Sequence, residues 1–299
     1  MKKLEENYCG IYSLMLTPFF SDKSVDYKTY ETYCNWQVSQ GVDHLFAVCG
    51  SSEMAELSLE ERLKLASLTV KHKGETTVVA TANMEKDWHA QIEEVKRMSA
   101  TGVDGLVFTT KGMGDRGDEL IEYVGRLKQY TSLPVFMYEF PGLRPHLISG
   151  EVYGRLVNEC GIYGIKDTTS TLEGIRDKLD HKGNSCVIQA NMPFLFEAFK
   201  YGSRGVMATP TACGGAFFQR FYNAFTSGDM ALSEQRYNEI ILLDNAIDSG
   251  FNNSAKYLVQ LQGVTDFQPI NRGPNVLSSA RMQSLRSFHC WCVANGLMN

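Results

Sequence analysis

A lysine at the end of a short apolar run is the residue best placed for covalent chemistry in this sequence. The stretch Gly161-Ile162-Tyr163-Gly164-Ile165-Lys166-Asp167-Thr168-Thr169-Ser170 reads as a buried strand that delivers one amine to its C-terminal end. A turn rich in helix-capping residues follows it. Side chains alternate along a strand, so Ile162, Gly164 and Lys166 share one face and Asp167 points the other way. On the inner face of a barrel, Lys166 would have little water around it; desolvation lowers a lysine pKa, and a neutral amine is a nucleophile. A lysine in this position can equally leave its strand for solvent. Tyr138 ends another short apolar run, and Cys49-Gly50-Ser51-Ser52-Glu53 makes a turn of small residues after a third. An amine that forms an imine, a phenol that moves protons, and a turn whose hydroxyls and N–H groups hold a carboxylate are the parts needed to activate a 2-keto acid. Each part has a plainer reading alone: a strand-ending tyrosine is often a core aromatic, and a Gly-Ser-Ser turn is often only a turn.

Such groups meet only if the strand ends meet, and the hydropathy pattern offers a way. Strand candidates are Ile11 to Leu16, Val42 to Val48, Thr76 to Ala80, Gly105 to Phe108, Pro134 to Tyr138, Ile162 to Lys166, Cys186 to Ala190 and Gly205 to Ala208. A helical segment follows each: Asp26 to Ser39, Ser58 to Lys71, Asp87 to Ala100, Asp118 to Tyr130, Gly150 to Glu159, Leu172 to Leu179, Pro193 to Tyr201 and Ala216 to Thr226. Ser58 with Glu61 has the spacing of a capping box. Every crossover is long enough to return the chain to a parallel neighbour. Eight such units point to an α/β TIM (β/α)8 barrel, and no Gly-rich phosphate loop follows the first strand as a dinucleotide fold would require. In a barrel the reactive groups lie at the C-terminal strand ends, where neighbouring strands are about 4.8 Å apart, so Tyr138 and Lys166 on adjacent strands can meet. There too come Ser51 and Ser52, Gln189-Ala190-Asn191 after strand seven, and Met207-Ala208-Thr209 in strand eight. After Gly228 the alternation stops, and Met230 to Ile247, Ser254 to Gln262 and Ser278 to Asn295 read as helices. The expected organisation is a barrel domain over 1–228 and a C-terminal helical domain over 229–299.

Composition narrows the classes. The chain of 299 residues is 43% hydrophobic and 21% charged with net charge -5, a mildly acidic balance that argues against nucleic acid or an anionic membrane as main partner. No apolar run approaches a bilayer span, and Met1-Lys2-Lys3-Leu4-Glu5-Glu6 places acids where a signal peptide needs an apolar run, so a cytoplasmic protein is expected. Eight dispersed cysteines suggest no disulfide framework, and Cys290-Trp291-Cys292 lacks the partners of a closed zinc site. No metal site is expected.

Four segments, in order, resemble the dihydrodipicolinate synthase and N-acetylneuraminate lyase family of class I aldolases. Leu16-Thr17-Pro18-Phe19 is similar to its opening strand, and Cys49-Gly50-Ser51-Ser52-Glu53 to its Gly-Thr-Thr-Gly-Glu loop. Tyr138-Glu139-Phe140-Pro141 resembles its Tyr-Asn-x-Pro turn, and Gly164-Ile165-Lys166-Asp167 its Gly-Ile-Lys-Asp/Glu strand. The resemblance implies that Lys166 forms a Schiff base with a 2-keto acid and Tyr138 moves the proton. It further implies that Ser51 and Ser52 bind the substrate carboxylate and that Met207 supplies a backbone contact. It implies no metal or organic cofactor, and a homo-oligomer, a tetramer or dimer. The sequence also departs from the pattern. Aligned without a gap, Cys49 takes the loop's first glycine and Gly50 its first threonine; with one residue deleted, Gly50 is the glycine. The synthase's Pro-Tyr-Tyr after strand four is Thr109-Thr110-Lys111-Gly112 here, and its arginine after the Tyr-Asn-x-Pro turn falls on Leu143, one place before Arg144. The expected function is therefore a Schiff-base lyase or aldolase of pyruvate or a related 2-keto acid with an aldehyde partner, and not a strict synthase. A 2-keto-3-deoxy sugar-acid dehydratase on the same scaffold, or a non-catalytic keto-acid-binding relative, are the alternatives.

Overall fold

Apolar runs alternate with amphipathic segments, and in a computed structural model that describes residues 8–248 and 250–298 the runs are strands and the segments helices. The acidic start at residues 1–6 lies outside the described residues. The order is β1 (Gly10–Leu14), α1 (Tyr27–Ser39), β2 (His44–Val48), α2 (Leu59–His72), β3 (Thr77–Thr81), α3 (Trp88–Ser99), β4 (Gly105–Thr109) and α4 (Gly117–Lys128). It continues with β5 (Val135–Tyr138), α5 (Gly150–Cys160), β6 (Gly164–Asp167), α6 (Leu172–His181), β7 (Cys186–Gln189), α7 (Leu195–Lys200), β8 (Gly205–Val206) and α8 (Thr211–Thr226). Three further helices follow: α9 (Met230–Asp248), α10 (Asn252–Leu261) and α11 (Ser279–Ala294). The strands are hydrogen-bonded in sequence order and close into a barrel, so the fold is a TIM barrel with a C-terminal helical extension. Among the described residues no helix is long and apolar enough to cross a membrane.

Local chemistry sets the boundaries. The Ser58 hydroxyl accepts from Glu61 N–H while the Glu61 carboxylate accepts from Ser58 N–H, the expected capping box. The side chains of Asp26, Asp87, Ser149 and Thr171 each accept from the backbone N–H three residues on and so cap their helices, each contribution being about 1 kcal/mol. The differences from the sequence reading also have local causes. Strand β6 begins at Gly164 and not at Ile162, because Gly161 is the left-handed C-cap of α5 at φ 65°. Pro193 sits in a 3-10 turn, Met192–Phe194, which shortens α7. Strand eight stops at Val206, before Met207-Ala208-Thr209, because Pro210 follows and the Thr211 N–H already turns back to Ala208 O. Helix α8 therefore starts at Thr211 and bends at Gly214, where a Cβ would lie 2.5 Å from Leu243 Cδ2.

By its contacts the chain divides into two compact units, residues 1–10 with 77–207 and residues 11–76 with 208–299. In the second unit, the Thr211 hydroxyl donates to Tyr12 O (2.8 Å) and accepts from Leu14 N–H (3.1 Å), fixing the start of α8 on β1. Tyr33 OH donates to Ala212 O at 2.7 Å, which ties α1 to the same turn.

In the first unit, Phe136 pairs with Gly164, Met137 with Ile165 and Tyr138 with Lys166, all in parallel register and all buried. Gly164 is required there, because a Cβ would meet Cys186 O at 2.8 Å and the Phe136 ring at 3.0 Å. Behind this sheet lies a buried ionic cluster. Lys178 of α6 places Nζ 3.0 Å from Glu139 Oε1 and 3.2 Å from Asp167 Oδ1, and all three side chains are almost fully buried. The carboxylates find further donors: Ile148 N–H and Thr168 N–H on Glu139, and Thr169 N–H and the Gln189 amide on Asp167. Burial alone would lower the Lys178 pKa, but the two acids together raise it. One excess negative charge remains, and burial pushes the Glu139 carboxyl up to about 7 against the pull of Lys178.

Two outcomes follow from this arrangement. Gly164→Ala should destabilise by about 1–3 kcal/mol through overpacking against the β7 backbone, read as a lowered Tm; an unchanged Tm would show that β7 can yield. Glu139 has a folded pKa above the roughly 4.3 of an unfolded glutamate, so the stability it contributes is complete at low pH and is lost as pH rises through about 7. Glu139→Gln should therefore lose less Tm between pH 5 and pH 8 than the parent protein, and equal losses would refute the assignment.

Candidate active site

The candidate pair, Tyr138 and Lys166, is set by β5 and β6. Strand alternation turns Tyr138 and Lys166 to one side of the sheet and the residues that follow them, Glu139 and Asp167, to the ionic cluster on the other. Tyr138 and Lys166 are direct register partners, each 4% exposed, and Lys166 Nζ lies 4.2 Å from the centre of the Tyr138 ring. A cation over an aromatic face is attracted to it, and a nearby phenol is the proton donor or acceptor that imine chemistry needs. The Phe140 ring flanks Tyr138 at 5.4 Å between centroids.

The neighbouring strand ends are shaped by amides, hydroxyls and one lysine. At the end of β3, Asn83 accepts from Thr109 N–H (2.8 Å) and donates to Thr109 O (3.0 Å) and Tyr123 OH (3.1 Å). Tyr123 OH donates to Gln91 Oε1, and burial pushes its pKa up, so it stays a neutral donor. Lys111, at a left-handed φ of 52°, reaches back so that Nζ donates to Asn83 O (3.1 Å) and Glu85 O (3.0 Å). The segment that lacks the synthase tyrosines is thus a latch on the β3 end. Arg144 is exposed and donates to Pro141 O at 3.3 Å. Gln189 accepts from Ala190 N–H and Asn191 N–H and so closes the end of β7. Met207 is buried, and its N–H donates to Gln189 O at 2.9 Å.

The Ser51-Ser52 loop belongs to the second unit. The Ser52 hydroxyl donates to Met15 O (2.6 Å) and accepts from Cys49 N–H (3.1 Å), while Ser52 O accepts from the Thr17 hydroxyl (2.7 Å). Ser52 therefore holds the turn together. The Ser51 hydroxyl, also buried, pairs with the Thr209 hydroxyl at 2.8 Å; only one proton lies between the two oxygens, so the other hydroxyl proton can go to a ligand. Glu53, at φ 60°, ends the turn on a buried ion pair with Lys256 Nζ (2.6 Å) and also accepts from Arg272 N–H (2.8 Å). Burial pulls the Lys256 pKa down to about 8 despite Glu53. Arg272 forks onto both oxygens of Glu61, holding that carboxyl down at about 2.

The structure thus brings Lys166 and Tyr138 together, and places Ser51 and Ser52 on one clamped loop with Thr209 beside Ser51. The sequence reading missed Glu139, Lys178, Glu53 and Lys256 as partners. A signal was present: Lys178 interrupts the buried stripe Ile175, Leu179 of α6, and Lys256 lies in the buried run Ser254 to Val259 of α10. On α11, Cys290 is exposed and Cys292 buried, so the two thiols of the Cys-x-Cys pair diverge.

Comparison with known proteins bears on this arrangement. The sequence model of the dihydrodipicolinate synthetase family matches residues 7–284. The 4-hydroxy-tetrahydrodipicolinate synthase of Bacillus velezensis is 25% identical over 264 residues, covering 86% of this chain and 90% of that protein. That of Phenylobacterium zucineum is 26% identical over 247 residues, covering 82% and 83%. Among solved structures, YagE, a prophage protein of the dihydrodipicolinic acid synthase family from E. coli K12 in complex with pyruvate, superposes with a TM-score of 0.87 at 20% identity, covering 97% and 99%. CdNal from Clostridium difficile in complex with mannosamine gives 0.87 at 17% identity, covering 95% and 99%. These two likenesses concern the fold, whereas the family match spans nearly the whole chain. The chain belongs to the dihydrodipicolinate synthetase family.

Proposed function

We propose that the protein is a Schiff-base lyase or aldolase of pyruvate or a related 2-keto acid, with Lys166 and Tyr138 as its catalytic residues. The observation that carries this reading is the register of the two groups: a buried amine 4.2 Å from the ring of a buried tyrosine on the adjacent strand. The Lys166 amine adds to the keto carbon and water leaves, giving a protonated imine. Loss of a proton from the neighbouring carbon yields an enamine, and Tyr138 carries protons in these steps. The enamine carbon then adds to an aldehyde, and hydrolysis frees Lys166; in the cleavage direction the steps reverse. The protonated imine is itself the electron sink, so this chemistry needs no metal or organic cofactor.

For the substrate carboxylate, the family pattern together with the Ser51–Thr209 hydroxyl pair supports Ser51 as a hydrogen-bond donor. Ser52, whose hydroxyl is used within the loop, would act by shaping it. Met207 would contact the keto acid through its carbonyl, since its N–H is bonded to Gln189 O. The second substrate is an aldehyde or sugar acid that differs from the synthase's own partner, because Lys111 fills the tyrosine segment with a latch and Arg144 is bonded at the surface. The same reading carries a cytoplasmic enzyme working as a homotetramer or dimer, with 229–299 as the helical domain beyond the barrel.

Borohydride added in the presence of pyruvate should trap an adduct on the peptide that contains Lys166; an unmodified peptide by mass spectrometry overturns the proposal. Lys166→Ala should abolish turnover. Tyr138→Phe should slow kcat by about 10² or more, the usual loss for a general acid–base group. A panel of aldehydes and 2-keto-3-deoxy sugar acids then separates aldol chemistry from dehydration by the product formed.

A further inference from the structure

At the N-terminal end of β7, away from the C-terminal strand ends that carry Lys166 and Tyr138, two thiols face each other. Cys9 Sγ lies 3.1 Å from Cys186 Sγ, although the residues are 177 positions apart. Neither is in a disulfide; Cys9 is partly exposed and Cys186 is buried at the start of its strand. Both line a cavity of about 230 Å³ together with Lys182, Ser185 and Arg204. The surrounding backbone is anchored on both sides. Gly10 N–H donates to Arg204 O at 2.8 Å, and Tyr153 OH donates to Cys186 O at 3.1 Å. The pair therefore belongs to backbone already held in place, with the two sulfurs about 1 Å farther apart than in a disulfide bond.

We propose that Cys9 and Cys186 form a reversible intramolecular disulfide when the protein meets a small anionic disulfide oxidant. Two cations, Lys182 and Arg204, line the cavity and draw an anionic oxidant such as oxidised glutathione to the thiol that solvent reaches first. The attacking species is a thiolate. The Cys9 thiolate attacks one sulfur of the oxidant, forming a mixed disulfide and releasing one glutathione thiolate. The Cys186 thiolate then attacks Cys9 Sγ and releases the second. Two protein thiols lose two electrons and two protons in total, and one oxidised glutathione becomes two reduced ones. The bond would staple the segment before β1 to the start of β7, closing a long loop and restricting the unfolded chain. This inference does not depend on the enzymatic reading above.

The full-length protein is incubated with oxidised glutathione at pH 8, digested without reduction and mapped by mass spectrometry. The expected result is a linked peptide pair joining Cys9 to Cys186, removed by dithiothreitol, together with a higher Tm than the reduced protein. Cys9→Ser should show neither the link nor the oxidant-dependent rise in Tm, and Cys186→Ser should stop at a mixed disulfide on Cys9. Exposed Cys290 serves as the internal control for reactivity. If Cys290 is glutathionylated while Cys9 and Cys186 stay reduced, or if Cys9 of the parent protein stops at the mixed disulfide, the proposal is wrong.

Discussion

One buried ammonium holds the ends of two strands. Lys178 sits between Glu139 and Asp167, and these carboxylates directly follow Tyr138 and Lys166 in the chain. Because a strand presents successive side chains to opposite faces, fixing the outward residue also fixes the inward one. Burying three ionisable groups is costly, and such clusters often contribute little net stability, yet removing one member typically costs 3–5 kcal/mol, about what leaves an uncompensated charge inside. The cluster is therefore better understood as a constraint on geometry than as a source of stability. A slip of β6 by one residue would send Lys166 toward Lys178 and turn Asp167 into the other face, so the ion pairs penalise that register strongly.

The second unit follows the same principle with different parts. The Ser51-Ser52 turn is held by hydrogen bonds from its own hydroxyl and from Thr17, and its far end is fixed by Glu53 on Lys256 and on the backbone of Arg272. The C-terminal helices thus determine a loop that lies more than two hundred residues earlier in sequence. Lys256 is fully buried, and Glu53 and Ile270 O accept from two of its three N–H donors.

The departures from the family pattern fall outside the Tyr138–Lys166 pair. Glu139 stands where the pattern has asparagine, and it shares Lys178 with Asp167. Lys111 stands in the segment that carries the synthase tyrosines, and its ammonium is occupied by the carbonyls of the β3 end. The sequence departures at Glu139 and Lys111 are thus each matched by a new set of contacts, while the Tyr138–Lys166 register is left as the family pattern has it.

Local periodicity was enough to read much of this molecule. Strands of apolar residues alternating with capped amphipathic helices identify the barrel, since burial of an apolar face and satisfaction of helix ends depend on neighbours within a few residues. The pattern also singled out Lys166, Tyr138 and the Ser51-Ser52 turn, and it located the helical extension. It placed some boundaries wrongly, at Gly161, Pro193 and the end of β8, where a left-handed cap or a proline outweighs the apolar run. Only the tertiary structure decided the partners of the buried charges. Lys178 stands beside the apolar stripe of α6, but what it pairs with is set by Glu139 and Asp167, 39 and 11 positions away by residue number. The same holds for Glu53 and Lys256, and for the thiols of Cys9 and Cys186. A local pattern can mark a charged side chain as out of place on an apolar stripe, but which counterpart it finds is fixed by packing between distant segments.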